Sequence, residues 1–364
     1  VLFLYAAGCG FHSVGGADGG GTDMGVVAGA DLWGVPPGSD LATGGGGGAC
    51  ARPALLVGVE DVSNSGPGGG RVARISLAGG SAAPCATLSG QGLIGSQPMA
   101  VAALDNDLIG AATFDGLYAI DAASDTVRWS KPNPDATNHY GPFDAFTFTS
   151  PTGTPYLAVA WGPDLGISGA GIREVEAYDA AGTAAAGAPW CIQGTGCSSL
   201  GLGLGIYSMA GDPAAPAHFL ALDGSNSVAA LEIDPWAAPP TKTTYVGSYS
   251  EPLGSIYSVA VGGTRHLAWF DNNMTGGAIA WSVDDGTGTA PPLSGPVRCT
   301  TTCATLLHVV PDPTAANGFF ALCDGATVSS RTVVRTDDAG HCTVLLDGAG
   351  FGAQSRLSRL GIAP

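Results

Sequence analysis

The sequence predicts an all-β domain built from a repeated unit of four short strands. Three observations support this. From residue 54 onward no segment carries the 3.6-residue apolar period of an amphipathic helix. The apolar runs are short, rich in Val, Ile, Leu, Tyr, Phe and Trp, and divided by Gly, Asp, Asn and Pro. The 364 residues include 59 Gly and 25 Pro, yet 45% are hydrophobic and only 12% charged. Many turns around a packed core are therefore expected, because disorder requires low hydrophobicity. Finally, one order of strands recurs at nearly constant spacing, as repeat architectures require.

The clearest copy is MAVAALDNDLIGAATFDGLYAIDAASDTVRW, residues 99–129. It divides into strand A (99–104), B (108–114), C (117–120) and D (126–129). The same order returns over 145–182, 206–234, 256–286 and 306–340. An Asp closes strand C each time: Asp121, Asp179, Asp234, Asp284 and Asp337, spaced by 58, 55, 50 and 53 residues. An Asp repeated at one turn marks chain reversal, since its carboxylate bonds the backbone two residues on. Strand B also tends to end in Asp: 61, 115, 164, 223, 271 and 324. Three of these precede Gly (Asp115, Asp223 and Asp324), a favoured hairpin pair.

The ends of the domain complete the count. Residues 54–90 supply strands B, C and D without an A, and SRLSRLGIAP (355–364) is a lone A strand. Pairing the two would close a ring. Closure is favoured because each unit has apolar faces that only its neighbours can cover, and radial repetition leaves only short edges. On these residues the chain resembles a six-bladed β-propeller, with six four-stranded blades closed by the C-terminal strand. LYAIDAASDTVRW in particular is similar to quinoprotein-like and NHL-type propeller repeats. The resemblance implies fold and not quinone chemistry. The long interval between the A strands near Phe146 and Tyr207 leaves room for a seventh blade.

Residues 1–9, VLFLYAAGC, lead an apolar run into Ala6-Ala7-Gly8-Cys9. This resembles the lipobox of bacterial lipoproteins. The resemblance implies cleavage of a signal peptide before Cys9 and lipid attachment at Cys9. It also implies an extracytoplasmic protein at the outer membrane, on its periplasmic or surface face. Residues 10–49 are Gly-rich and hold no Lys or Arg, as expected of a flexible tether, and 50–364 form the propeller domain. No other segment reaches the ~18 apolar residues of a membrane span, so membrane contact is expected through the lipid alone. Thirteen Lys and Arg against 30 Asp and Glu give a net charge of −17. Such a surface repels nucleic acid, and a monomer is expected.

Nine cysteines become eight once Cys9 is set aside, and an oxidising compartment would pair them. Cys191 with Cys197, and Cys299 with Cys303, have the spacing of locally closed loops. Cys50, Cys85, Cys323 and Cys342 would pair among themselves in an order the sequence leaves open. No second Cys/His pair completes a zinc site.

The common catalytic motifs are absent. There is no GxSxG or HExxH, and GLGLG at 201–205 lacks the GxGxxG spacing. No catalytic residue is assigned. Binding residues concentrate on loops carried by rigid scaffolds. The longest D-to-A connections are KPNPDATNHYGPFD (131–144) and CIQGTGCSSLGLGLG (191–205). The first offers Asn138, His139 and Tyr140. Trp161 and Asp164, ending the intervening B strand, would face them. The leading expectation is a propeller that binds a protein or glycan through this rim without a cofactor. The alternative is a calcium-dependent hydrolase or lactonase of the six-bladed kind, with Glu60, Asn106, Asp271 and Asn273 as oxygen ligands.

Overall fold

The computed structural model describes residues 50–363, apart from 64–67, 79–82, 96, 105–107, 137–139, 164–170, 193–196, 203–204, 224–227, 250–255, 262–263, 272–277, 285–293, 299–302, 304, 316–317, 326–329, 337–340 and 352–353; at 228–229 and within 245–298 the description is of backbone alone. Among these residues the strands form six sheets. The first joins β1 (Ala54–Asp61), β2 (Gly70–Ser76), β3 (Ala86–Leu88) and the last strand of the chain, β25 (Ser355–Ala363). The second holds β4 (Ala100–Ala103), β5 (Leu108–Thr113), β6 (Gly116–Asp121) and β7 (Thr126–Pro132). The third holds β8 (Tyr140–Thr149), β9 (Pro155–Pro163), β10 (Glu174–Tyr178), β11 (Trp190–Cys191) and β12 (Ser198–Ser199). The fourth is β13 (Ile206–Gly211), β14 (Phe219–Asp223), β15 (Val228–Asp234) and β16 (Thr241–Tyr249). The fifth is β17 (Ile256–Val261), β18 (Thr264–Asp271), β19 (Ala278–Asp284) and β20 (Ser294–Arg298). The sixth is β21 (Thr305–Pro311), β22 (Phe319–Asp324), β23 (Thr332–Thr336) and β24 (Cys342–Asp347).

The first strands of successive sheets pack side by side in the order β25, β4, β8, β13, β17, β21 and back to β25. The fold is a β-propeller. Its ring shuts where β25 pairs antiparallel with β1, setting Leu55 opposite Ile362 and Val57 opposite Leu360. Six successive residues of β1, Ala54–Val59, are buried, as a strand covered on both faces requires.

One expectation is corrected. Five sheets have four strands, but the third has five. After β10 a single bridge joins Tyr178 to Ala184, and ladder pairing resumes only where Trp190 meets Val175. Gly182 and Gly187 between them take φ of +79° and +89°, a conformation that breaks a strand. The short strands β11 and β12 then pair in parallel and fill the interval that left room for a seventh blade.

The disulfides follow the sheets. Cys50 bonds Cys85, and Cys191 bonds Cys197 as expected. Cys303 bonds Cys323 rather than Cys299. The ladder explains the correction. Thr305 of β21 lies opposite Asp324 of β22, which brings Cys303 beside Cys323, with their Cα atoms 5.1 Å apart. Both are buried with Leu306, Val309 and Phe319. Cys342 is also disulfide-bonded; Cys299 lies outside the described residues.

Candidate functional site

The seam between the second and third sheets is built from the alternation of β10, whose sequence is EVEAY. Val175 and Ala177 are fully buried in the cluster shared with the fourth sheet. The two-residue period then turns Glu174, Glu176 and Tyr178 to the opposite face, toward the second sheet. The register confirms it, since Glu174 lies opposite Trp161, Glu176 opposite Val159 and Tyr178 opposite Leu157. Those three apolar partners pack on Leu104, Leu108 and Leu117 of the second sheet, and Trp129, Tyr140 and Tyr178 are partly buried against the same cluster.

Strand β7 supplies the facing wall. The Trp129 ring lies 5.7 Å from that of Tyr178, and Lys131 Nζ sits 4.9 Å above the Tyr178 ring. The Trp129 indole donates to the Ala180 carbonyl at 3.1 Å. Gly182 lies under that indole, where a Cβ would come within 3.0 Å of the ring.

The rim position of this seam is fixed by Asn133. Its backbone N–H donates to the Asp115 carbonyl, and its side-chain amide donates to the carbonyls of Phe114 (2.8 Å) and Tyr140 (2.6 Å). The connection from β7 to β8 is thus tied to the turn between β5 and β6. Of the five rim residues expected from sequence, Tyr140 and Trp161 come together at this seam. Asn138, His139 and Asp164 lie outside the described residues. Glu174, Glu176 and Tyr178 were not singled out by sequence reasoning. The signal was present in EVEAY, where two carboxylates alternate with apolar residues in a strand that both neighbours cover.

Burial pushes the Glu176 carboxyl up to about 7, and the nearby charge of Glu174 adds to the effect. Tyr178, Trp161 and Lys131 oppose it only in part. Burial and the charge of Asp135 likewise raise Glu174. Burial, then Glu174 and Asp135, raise Tyr140, with Arg173 working against them. Burial and the adjoining Glu176 raise Tyr178. Three carboxylates here are thus met by two cations, Lys131 and Arg173. Trp161 is fully buried, and its indole favours the charged form of the neighbouring Glu176 carboxylate, although neither Nε1 of Trp161 nor Oε2 of Glu176 makes a hydrogen bond of good geometry.

A second polar cluster lies on the ring axis. Asp144 on β8 faces His308 on β21 and Arg359 on β25, two adjacent first strands neither of which neighbours β8 in the ring. They can meet only across the axis. Arg359 donates to Asp144 Oδ1 at 3.0 Å and to the Phe143 carbonyl. Met209 N–H of β13 donates to Asp144 Oδ2 at 2.9 Å. His308 Nε2 lies 3.8 Å from Asp144 Oδ1, and its Nδ1 accepts the Leu360 N–H at 3.3 Å. That acceptor role puts the proton of the neutral ring on Nε2, facing the carboxylate. Burial would raise Asp144, but His308, Arg359 and Met209 outweigh it and hold the carboxyl below its usual range. Burial, aided by the charge of Arg359, lowers His308 to about 3 despite Asp144. Asp144 and His308 are almost completely buried.

Of the alternative metal set, only the Glu60 side chain is described, and it accepts from Arg356 Nε of β25 at 2.7 Å. Asp271 ends β18, where backbone alone is described, and Asn106 and Asn273 lie outside the described residues, as does Cys9. Among the described residues no group of three His, Cys, Asp or Glu is gathered as a metal site would require. The turn aspartates do what the repeat implied. Asp179 accepts the N–H groups of Ala181 and Thr183, and Asp234 that of Trp236.

No family model matches this chain, and no curated protein matches it either. Solved structures do. A protein of unknown function from Bacteroides caccae superposes with a TM-score of 0.53 at 11% identity, over 86% of this chain and 99% of that one. A chain from a nidogen/laminin complex gives 0.52 at 10% identity, over 86% and 98%. The likeness is one of fold. A putative 6-phosphogluconolactonase from Bacteroides fragilis gives 0.49 at 10% identity, over 87% and 99%.

Proposed function

We propose that this chain is a lipid-anchored, extracytoplasmic propeller that binds a protein or glycan through the rim between its second and third sheets. The observation that carries this reading is the gathering of Tyr140, Trp161, Glu174 and Glu176 at one seam. Aromatic rings beside carboxylates offer apolar contact and hydrogen-bond acceptors together, a composition common at recognition sites. The burial of Asp144 and His308 at the axis also favours a rim site over one in a central tunnel. The anchor rests on VLFLYAAGC and on the Gly-rich tether that follows it. A calcium-dependent hydrolase is less well supported, because Glu60 is engaged by Arg356.

The binding reading is tested with the full-length chain, using neutral hexasaccharides and a Lys/Arg-rich peptide as probes and tryptophan fluorescence as the signal. Saturable binding of either probe is expected, and binding of neither overturns the reading. The anchor is tested by membrane fractionation. Cys9→Ser is expected to move the protein to the soluble fraction, and unchanged membrane association overturns that part.

A further inference from the structure

We propose that the Cys191–Cys197 disulfide is a reversible redox centre, which oxidises a small uncharged dithiol entering a recess beside Cys197 at the outer edge of the third sheet. This activity goes beyond rim binding and does not depend on it.

An open recess of about 510 Å³ is lined by Gly187, Ala188, Pro189, Cys197 and Ser198. The lining carries no charge and little bulk, so it admits a small neutral molecule. Cys197 is only partly buried there. By contrast, Cys303 and Cys323 are 1% and 0% exposed, and thiol exchange requires access to a sulfur. Cys50–Cys85 has one exposed member, Cys85, but it spans 35 residues of sequence against 6 for Cys191–Cys197. The shorter loop stabilises a fold least. Cys191–Cys197 therefore combines access with the smallest loss on opening.

The fold keeps both sulfurs within reach after the bond opens. Trp190 and Ile192, on either side of Cys191, are buried in one core cluster with Leu200 and Leu202, which follow Cys197. Strands β11 and β12 pair Cys191 with Ser199. Leu200 N–H donates to the Cys191 carbonyl at 2.8 Å, and Leu202 N–H to that of Ile192 at 3.2 Å. None of these contacts needs the disulfide. A thiolate of the dithiol attacks Cys197 Sγ, the bond to Cys191 breaks, and Cys191 leaves as a thiolate. The second thiolate then attacks the substrate sulfur of the mixed disulfide and releases Cys197. One dithiol becomes a disulfide, the protein disulfide becomes a dithiol, and the two substrate protons end on Cys191 and Cys197.

The test treats the native full-length chain with dithiothreitol at pH 8, quenches by alkylation and assigns each cysteine by peptide mass spectrometry. Cys191 and Cys197 are expected to be reduced at least tenfold faster than Cys50–Cys85 and Cys303–Cys323, with circular dichroism unchanged and the same pair re-formed once the reductant is removed. Reduction of another of these disulfides first, or reduction only together with unfolding, overturns the proposal. The attacked sulfur is identified with iodoacetamide. The Cys197 thiol of Cys191→Ser is expected to react about tenfold faster than the Cys191 thiol of Cys197→Ser, and equal or reversed rates overturn the role of the recess. Should either variant fail to fold, the order of reduction in the native chain alone decides.

Discussion

Asp144 at the ring axis and Glu176 at the seam are both carboxylates held away from water, and the fold shifts them in opposite directions. At the axis, partners arrive from three other sheets: Arg359, His308 and Met209 N–H surround one carboxylate of the third sheet. They more than offset burial, and the group stays charged. At the seam, Glu176 meets burial and a like charge with too little compensation. The first arrangement is closed, and a chain gains only structure from it. The second leaves a carboxyl at odds with its surroundings, a perturbation that clusters at functional sites.

The contrast is broken most severely at Asp144. Asp144→Ala strips Arg359 and the Met209 N–H of their partner at a point that joins opposite sides of the ring. Removing one member of a buried pair costs about 3 kcal/mol, and that loss is expected in denaturant unfolding at pH 7. A loss below about 1 kcal/mol would mean that the axis cluster is dispensable. The pH profile of the native protein bears on the same point. The unfolded His takes a proton below its ordinary 6.5, whereas His308 resists until about 3. Stability is therefore expected to fall as pH drops from 6.5 toward 3, and Asp144 adds a further loss as it protonates below its ordinary value of 3.8.

The seam should show the reverse sign. Between its ordinary 4.5 and about 7, Glu176 binds a proton in the folded state that the unfolded chain does not hold. Its contribution is thus full below pH 4.5 and lost as pH rises through 7. Glu176→Gln removes that titration. It is expected to stabilise the protein at pH 8 by roughly 1 kcal/mol, allowing for the partial exposure of the carboxyl, and to change little at pH 4. Equal effects at both values would show that Glu176 acts through packing and not through its charge.

The two regions also differ in how far they could be read from sequence. The ring itself was legible, because turn chemistry and strand period are local and recur. The lone strand at 355–364 predicted the closure made by β25 on β1. The rim was legible in part, since Tyr140 and Trp161 belong to segments whose ends the repeat had located. The axis was not. Asp144, His308 and Arg359 lie 164 and 51 residues apart in successive pairs, and no local pattern marks side chains that meet only after closure. The expected pairing of Cys299 with Cys303 failed for the same reason. Short spacing favoured Cys299, but the β21–β22 ladder chose the partner.

The smallest effect is expected at Asp121, on the turn where the repeat is most regular. Its Oδ1 accepts the N–H groups of Ala123 and Ser124 at 3.0 and 3.1 Å, while Oδ2 accepts from Arg128 at 2.5 Å. The Arg128 bond, followed by the Ser124 N–H, holds this carboxyl down at about 2. The two roles separate by substitution. Asp121→Asn keeps an acceptor for the turn and gives up the ion pair, which is exposed on the Arg128 side and worth under about 0.5 kcal/mol. Asp121→Ala gives up both and is expected to cost about 1 kcal/mol. If Asn proves as costly as Ala in denaturant unfolding, the ion pair and not the turn explains the Asp, and its recurrence at Asp179 and Asp234 loses its account. If Asn is nearly neutral, the repeated Asp is there to reverse the chain.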